Sequence, residues 1–412
     1  MVRRRVAITG IGVVTPIGIG REGLWKGIRA EKSSARIATR FDPSPFRSHL
    51  AAEVNDFVPG DHLEAKRARR LDRFGHFAVV SAKLAVEDAG IDLAKENRER
   101  IGCTMGSALG GIGYAEEQVG NYLVGGLKNV DPMLALTVFG GAASCNVAIE
   151  MGVQGPNSTN AMSCASGTMA VGEGFRAIRD GYADVMLSGA SEAPLAPLCF
   201  GAFAVIRAMS TRNDDAEHAS RPFDRARDGF VMGEGGAVLV LEEWERAVSR
   251  GAHIYAELLG YGNSNDAHHM TAPRPDGTQA ARSMRAALQD ARVSAGEIGY
   301  VNAHGSSTPL NDPTETLAMH QLFGDHAKSL QVSSTKAYYG HALGASGAFE
   351  IAISALALEH DWLPPTLNLE DPGDGCDLDY IPGTGRHAHV ELALSNSFGF
   401  GGINAAVVLR RA

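Results

Sequence analysis

The chain carries one α/β arrangement twice, and that repetition restricts its fold more than any single motif. The first copy runs from a strand with Gly-x-Gly (Ile8 to Gly12) through a helical stretch (Leu71 to Ala89) and a strand (Arg100 to Gly106). It continues with a Ser/Cys turn entering a helix (Ser163 to Asp180) and closes on the strand GGAVLVLEE. The second copy keeps this order with AELLGYG, the helical GTQAARSMRAALQDA, IGYVNAHG, the helical GHALGASGAFEIAISALALEH and GGINAAVVLRR. Short β-branched runs alternating with longer helical patterns specify an α/β protein. The expectation is two pseudo-repeated halves, residues 1–250 and 251–412, packed as one body. Segments 30–60 and 110–150 fit the repeat poorly, and 196–232 reads as loops rich in Arg, Asp and Gly; such insertions build a site or an interface.

Lys and Arg number 38 against 47 Asp and Glu, a net charge of −9 that disfavours nucleic acid and anionic membrane as partners. No apolar run approaches the ~18–20 residues needed to span a bilayer. The start, Arg3-Arg4-Arg5 followed by VAITGIGVVTPIG, copies the charge order of a secretion signal. Gly10, Gly12, Pro16 and Gly18 interrupt the apolar stretch, however, so a buried first strand and turn is the better reading and a cytoplasmic protein is expected. The five cysteines, at 103, 145, 164, 199 and 376, lack any CxxC pair, which argues against a disulfide framework or a Cys-rich metal site. GIGVVTPIG has Thr15 where a dinucleotide fingerprint has its third glycine, no P-loop occurs, and His268-His269 lacks a third ligand at recognisable spacing.

Three stretches carry chemistry. Ser163-Cys164-Ala165-Ser166-Gly167 separates a strand-like segment from a helix with apolar positions Ala170, Val171, Phe175 and Ile178, and Cys164 stands at that helix's start. A thiol there feels the positive end of the helix dipole, which favours thiolate, and its small neighbours let a substrate approach; a buried inert cysteine is the alternative. His304 and His341 lie in glycine-flanked turns after β-like strands, where α/β folds place active sites, with Lys336, Asp312 and Glu315 nearby in sequence as a charged support. Residues 396–405, NSFGFGGINA, intersperse glycines with Phe398 and Phe400, a loop able to present N–H groups to an oxyanion while an aromatic opens or shuts a pocket.

Taken in order, RRVAITGIGVVTPIG, GSALGG, SCASG, RPFDRARDGFVMGEGG, VNAHGSSTPLND, STKAYYGHALGASGA and NSFGFGGINA make the chain resemble the β-ketoacyl-[acyl-carrier-protein] synthases over essentially its whole length. The likeness is greatest to the synthase II type and its relatives in type II polyketide pathways. The resemblance implies a thiolase-like, five-layered αβαβα fold. It implies Cys164 as acyl-accepting nucleophile, His304 and His341 as the decarboxylation and condensation pair, and Lys336 with Glu315 as a supporting network. The N–H groups of Cys164 and Phe400 would form the oxyanion hole, Phe400 and its loop with Phe398 would gate the site, Leu109 would line the acyl pocket as a chain-length gate, and Phe230 would pack near the thiol. No metal or dissociable cofactor is called for.

The same resemblance implies an acyl carrier protein as partner, docked by Lys66, Arg67, Arg69, Arg70 and Arg73. It also implies a dimer, with a second copy or with a chain-length factor. A thiolase would place a second cysteine in the C-terminal glycine loop, and chain-length factors and malonyl decarboxylases generally lack the nucleophilic cysteine, so Cys164, His304 and His341 together favour a condensing enzyme. Tyr338-Tyr339 is bulkier than the sequence usual in housekeeping synthases, from which we expect a specialised polyketide or fatty-acyl pathway rather than bulk fatty-acid elongation.

Overall fold

The computed structural model describes residues 3–412. The strands that organise it are β1 (Val6–Thr15), β2 (Ile101–Gly106), β3 (Asn157–Asn160), β4 (Val185–Glu192), β5 (Gly235–Glu243), β6 (Ala256–Asn265), β7 (Tyr300–Asn302), β8 (Gln331–Ser333), β9 (Leu392–Gly399) and β10 (Ile403–Arg411). The helices that position the site are α1 (Arg73–Asp88), α2 (Ser166–Arg179), α3 (Thr278–Ala291), α4 (Asn311–Phe323) and α5 (Ser346–Glu359). The strands form one sheet in the order β8-β7-β9-β10-β6-β1-β5-β4-β2-β3. Read outward from its centre, β1-β5-β4-β2-β3 and β6-β10-β9-β7-β8 follow the same topology. In each half the outer three strands run parallel and the others antiparallel. The two half-sheets join where Val6, Ala7 and Ile8 pair with Leu258, Glu257 and Ala256.

The central strands are largely buried because helices cover both faces of the sheet. All residues of β1 and β4 are buried. Helices α2 and α5 lie between the half-sheets and pack against strands of both, whereas α1 covers the outer face of the first half and α3 that of the second. Three large apolar clusters fill these interfaces: a central one holding Val171, Phe175, Ile351 and Leu356, and outer ones around Phe74 and Phe77 and around Met284 and Leu288. The result is five layers, helix–sheet–helix–sheet–helix. The Gly-x-Gly of each first strand explains how closely the outer helix sits. A Cβ on Gly10 or Gly12 would come 2.3 Å from Ala85 O or 2.0 Å from Ser81 O, and one on Gly260 or Gly262 would come 2.4 Å from Ala287 O or 2.3 Å from Ser283 O.

Segment 110–150 departs from its reading as an insertion. Its helix Ala142–Met151 packs on α1 as α4 packs on α3, so only the preceding portion, with the helix Ile112–Gly125, is additional to the repeat. The strand-like segment before the Ser163 turn is the short strand β3, whose polar sequence NSTN lies at the sheet edge. Among the described residues no helix is long and apolar enough to cross a membrane.

Candidate active site

The chemistry-bearing turns follow the C-terminal ends of β2, β3, β7, β8 and β9, and the two-half fold turns them toward one another. Cys164 is in a tight 3-10 turn, Ser163–Ala165, that precedes α2, with Ser163 at φ 51° and Ser166 Oγ donating to Ser163 O at 2.7 Å. The second half repeats this elbow. The turn Leu343–Ala345, with Leu343 at φ 43°, precedes α5, and the two helices cross so closely that a Cβ on Gly167 would come 2.6 Å from Gly344 O.

Burial pushes the Cys164 thiol up from its ordinary value, against the opposing effects of Ser163, the Lys336 charge and the Phe400 N–H, while Glu192 adds to the rise. The helix-start reading anticipated the opposite direction. Cys164 is buried, and desolvation of a thiolate outweighs partial charges at one helix turn. The resting group is therefore a thiol.

Two imidazoles are at hand. The rings of His304 and His341 stand perpendicular, at 81°, with centroids 5.3 Å apart, and both residues are buried. Burial first and the Lys336 charge second hold both well below the ordinary histidine value, with each His304–His341 pairing adding to the depression of His304, so the rings are neutral. His341 is fixed by its N–H to Val231 O (2.7 Å), by Ser346 Oγ 2.9 Å from its Nδ1, and by the edge-on ring of Phe230 at 5.2 Å. The His304 backbone is held on both sides. Its N–H and that of Gly305 donate to the Glu315 carboxylate at 2.9 and 2.8 Å, and its carbonyl accepts from Lys336 Nζ at 2.6 Å.

Lys336 is 1% exposed, and its ion-pair partner is Glu350 on α5 rather than Glu315. Sequence reading missed Glu350, which sits within the helical apolar run SGAFEIAISALALE and shows itself as the charged interruption of a buried helix. Burial lifts its carboxyl to about 7 despite the opposing Lys336 charge. Asp312, also expected as support, serves elsewhere: it accepts from the Phe223 N–H at 2.8 Å and faces Arg227 at 3.8 Å, tying the Arg-rich loop to α4.

Cys164, His304, His341, Phe230, Phe398 and Phe400 line one cavity of about 260 Å³. Phe400 stacks on Phe203 with centroids 6.2 Å apart, and its N–H is directed at the Cys164 sulfur. A Cβ on Gly399 would come 3.0 Å from Cys164 N, which places the glycine loop directly beside the two N–H groups assigned to the oxyanion. The loop is tethered by Gly401 N–H to Met270 O (2.7 Å) and by Asp266, whose N–H donates to Gly402 O (2.8 Å) and whose Oδ1 accepts from Asn404 Nδ2 (2.7 Å). Leu109 does not line this cavity. It packs, half-buried, in the apolar cluster that contains Cys164, Phe230, Leu343 and Phe200.

With this geometry in place, the comparisons with known proteins are decisive. Residues 3–247 match the Beta-ketoacyl synthase, N-terminal domain, and residues 255–370 match the Beta-ketoacyl synthase, C-terminal domain. The chain belongs to the β-ketoacyl synthase family. It is 44% identical to the 3-oxoacyl-[acyl-carrier-protein] synthase 2 of Synechocystis sp. over 409 residues, covering 99% of this chain and 98% of the relative. To the synthase 2 of Coxiella burnetii it is 44% identical over 411 residues, 100% and 99% of the two chains. Among solved structures, the ishigamide ketosynthase/chain length factor superposes with a TM-score of 0.92 at 37% identity, covering 100% of both chains. A type II PKS ketosynthase solved in complex with its acyl-carrier protein gives 0.91 at 36%, again over 100% of both chains. The architecture of this β-ketoacyl synthase is thus the thiolase-like fold.

Two expectations are revised in this synthase. Tyr338 and Tyr339 are fully buried in the central apolar cluster, where Tyr339 donates or accepts at Thr335 Oγ1 (2.8 Å) and meets Phe349 edge-on. Their bulk packs in the core, Tyr339 against Phe349 of α5, and they do not line the cavity. The basic patch also divides. Arg67 is committed to Glu150 (2.9 Å) and Asn146, and Arg73 to Glu234 (2.6 Å) and Val54 O. Lys66, Arg69 and Arg70 stand exposed on and just after the short helix Ala65–Ala68.

Proposed function

We propose that this synthase catalyses decarboxylative condensation of an acyl chain held on Cys164 with malonyl-acyl carrier protein. The observation that carries the reading is one cavity shared by a buried thiol, two neutral imidazoles and a glycine loop whose N–H faces the sulfur. In the first half-reaction the Cys164 sulfur attacks the acyl thioester carbon, its proton passes by way of a neutral imidazole to the departing pantetheine sulfur, and the Cys164 and Phe400 N–H groups hold the oxyanion. In the second, the malonyl C–C bond breaks and CO₂ leaves. The enolate oxygen accepts from imidazole N–H groups, the carbanion attacks the acyl-Cys164 carbon, and the C–S bond breaks to return the thiol after proton uptake. Neutral rings suit both tasks, because each offers one N–H donor and one acceptor.

Lys66, Arg69 and Arg70 form the docking surface for the acidic carrier protein, with Arg67 and Arg73 holding the segment that presents them. The synthase pairs with a second copy or a chain-length factor, a reading supported by the sheet-edge strand β3 and by exposed Leu123, Val124, Leu127 and Ile149 in the neighbouring segments. Residues 1–250 and 251–412 are the two halves of a duplication, and the protein works in the cytoplasm. A specialised polyketide or fatty-acyl pathway is the reading that the structural likeness to polyketide ketosynthases supports. Housekeeping elongation is the second reading, favoured by the 44% identity to synthase 2 enzymes.

The test is intact-protein mass after mixing with acyl-carrier proteins of graded length, then chasing with malonyl-carrier protein, with Cys164→Ala as control. An adduct absent from the control and discharged as a β-keto product two carbons longer supports the reading. A folded protein that takes no acyl group but releases CO₂ from the malonyl thioester would replace it with a decarboxylase.

A further inference from the structure

Glu192, the last residue of β4, is a buried carboxyl that the condensation mechanism leaves without a task. It is 0% exposed, and its Oε1 accepts from Ser107 Oγ at 2.8 Å and from the Ala108 N–H, with the Leu109 N–H also directed at the carboxyl. Ser107 Oγ in turn accepts from the Gly110 N–H at 2.9 Å. One carboxyl oxygen and one hydroxyl thereby gather three consecutive backbone N–H groups, those of Ala108, Leu109 and Gly110, and close the turn that follows β2. Glu192 Oε2 has no hydrogen-bond partner among the described residues. The other wall of this carboxyl is the elbow before α5: a Cβ on Gly344 would come 2.9 Å from Glu192 Oε1 and 2.9 Å from Ala108 N. That elbow carries Leu343, which packs with Cys164, Phe230 and Leu109 in one apolar cluster.

Burial of a carboxyl beside a reactive thiol is unfavourable for the fold and for thiolate formation alike, and such a group persists where its hydrogen bonds set a geometry. Here the geometry is the position of Leu109. Resting on the reading of Cys164 as acyl acceptor, we infer that Glu192 is a positioning residue for the acyl pocket. It pins the Ser107–Gly110 turn against the α5 elbow, holds Leu109 against the apolar cluster beside Cys164, and so sets the length of acyl chain that the thiol accepts.

The test compares rates of Cys164 acylation by short-chain and long-chain acyl-carrier proteins in the wild type, Glu192→Ala, Ser107→Ala and Glu192→Gln. Releasing the turn in Glu192→Ala and Ser107→Ala shifts the long-to-short rate ratio toward long chains on the order of tenfold, the scale of one lost buried hydrogen bond. Glu192→Gln retains a carbonyl acceptor for Ser107 and Ala108 and keeps the wild-type ratio. Ser107→Ala, the smaller change, decides the matter should Glu192→Ala fail to fold. A wild-type ratio in folded Ser107→Ala overturns the inference, even where all rates fall together, because a merely structural role lowers every chain length alike. A wild type that accepts no acyl group overturns the underlying reading of Cys164 instead, so the two failures are distinct.

Discussion

Replacing Lys336 with methionine tests whether a buried cation adds to burial in holding both imidazoles neutral. The change removes the Nζ donor to His304 O and the partner of Glu350, both deep in the protein. Removing one member of a buried ion pair costs about 3–5 kcal/mol, a range that includes the orphaned carbonyl. The lower end applies here because Glu350, raised to about 7 by burial even beside Lys336, neutralises itself by taking a proton. The pH dependence follows from that proton. In the wild type the Glu350 contribution declines between the unfolded value of 4.5 and about 7 and is constant above. In the variant the folded value lies higher still, so stability keeps falling as pH rises past 7, by up to about 1.4 kcal/mol per unit. Urea midpoints at about pH 6, 7 and 8.5 should therefore show a deficit near 3 kcal/mol at pH 7 that widens at the alkaline end. With the cation gone, both histidines rise toward their ordinary value and the acid limb of the condensation rate moves to higher pH. A deficit that is the same at all three pH values, with an unmoved acid limb, would refute the reasoning.

Other perturbations read other parts of the site. Ser346→Ala removes the hydroxyl 2.9 Å from His341 Nδ1 and should slow condensation about tenfold while leaving the thermal midpoint within a few degrees, measured by product formation and calorimetry. Gly347→Ala puts a Cβ 2.2 Å from Thr168 Oγ1 at the crossing of α2 and α5 and should destabilise by about 1–3 kcal/mol in urea titration. Reversing Lys66, Arg69 and Arg70 to Glu should raise KM for the carrier protein about tenfold at low salt with kcat unchanged, an effect that shrinks as salt rises. Arg67→Glu should instead lower the thermal midpoint, because that side chain is spent on Glu150.

Much of the architecture was legible because periodicity is local. The alternation of strand and helix, the recurrence of Gly-x-Gly and the S-C-A-S-G and G-A-S-G elbows each lie within a few residues, and the structure realises them as matching half-sheets with matching helix starts. The motifs also named the residues that the fold gathers around one cavity: Cys164, His304, His341, Phe398 and Phe400. The strand-like segment before the Ser163 turn is β3, but its place at the sheet edge was not legible, since its pairing with β2 depends on a neighbour some fifty residues away.

What the sequence by itself determined, then, is the alternation of strand and helix, the family and which residues the fold gathers at the cavity, all written in short contiguous stretches. What only the tertiary structure decided is who stands next to whom. Lys336 pairs with Glu350 across two elements while Glu315 grips the His304 backbone; Arg67 and Arg73 turn inward while Lys66, Arg69 and Arg70 stay free; Tyr338 and Tyr339 fill core rather than cavity. The Cys164 thiol is raised, not lowered, for the same reason. Desolvation and ion pairing are sums over atoms brought together from distant parts of the chain, and a local pattern records a residue's own period without recording its partners.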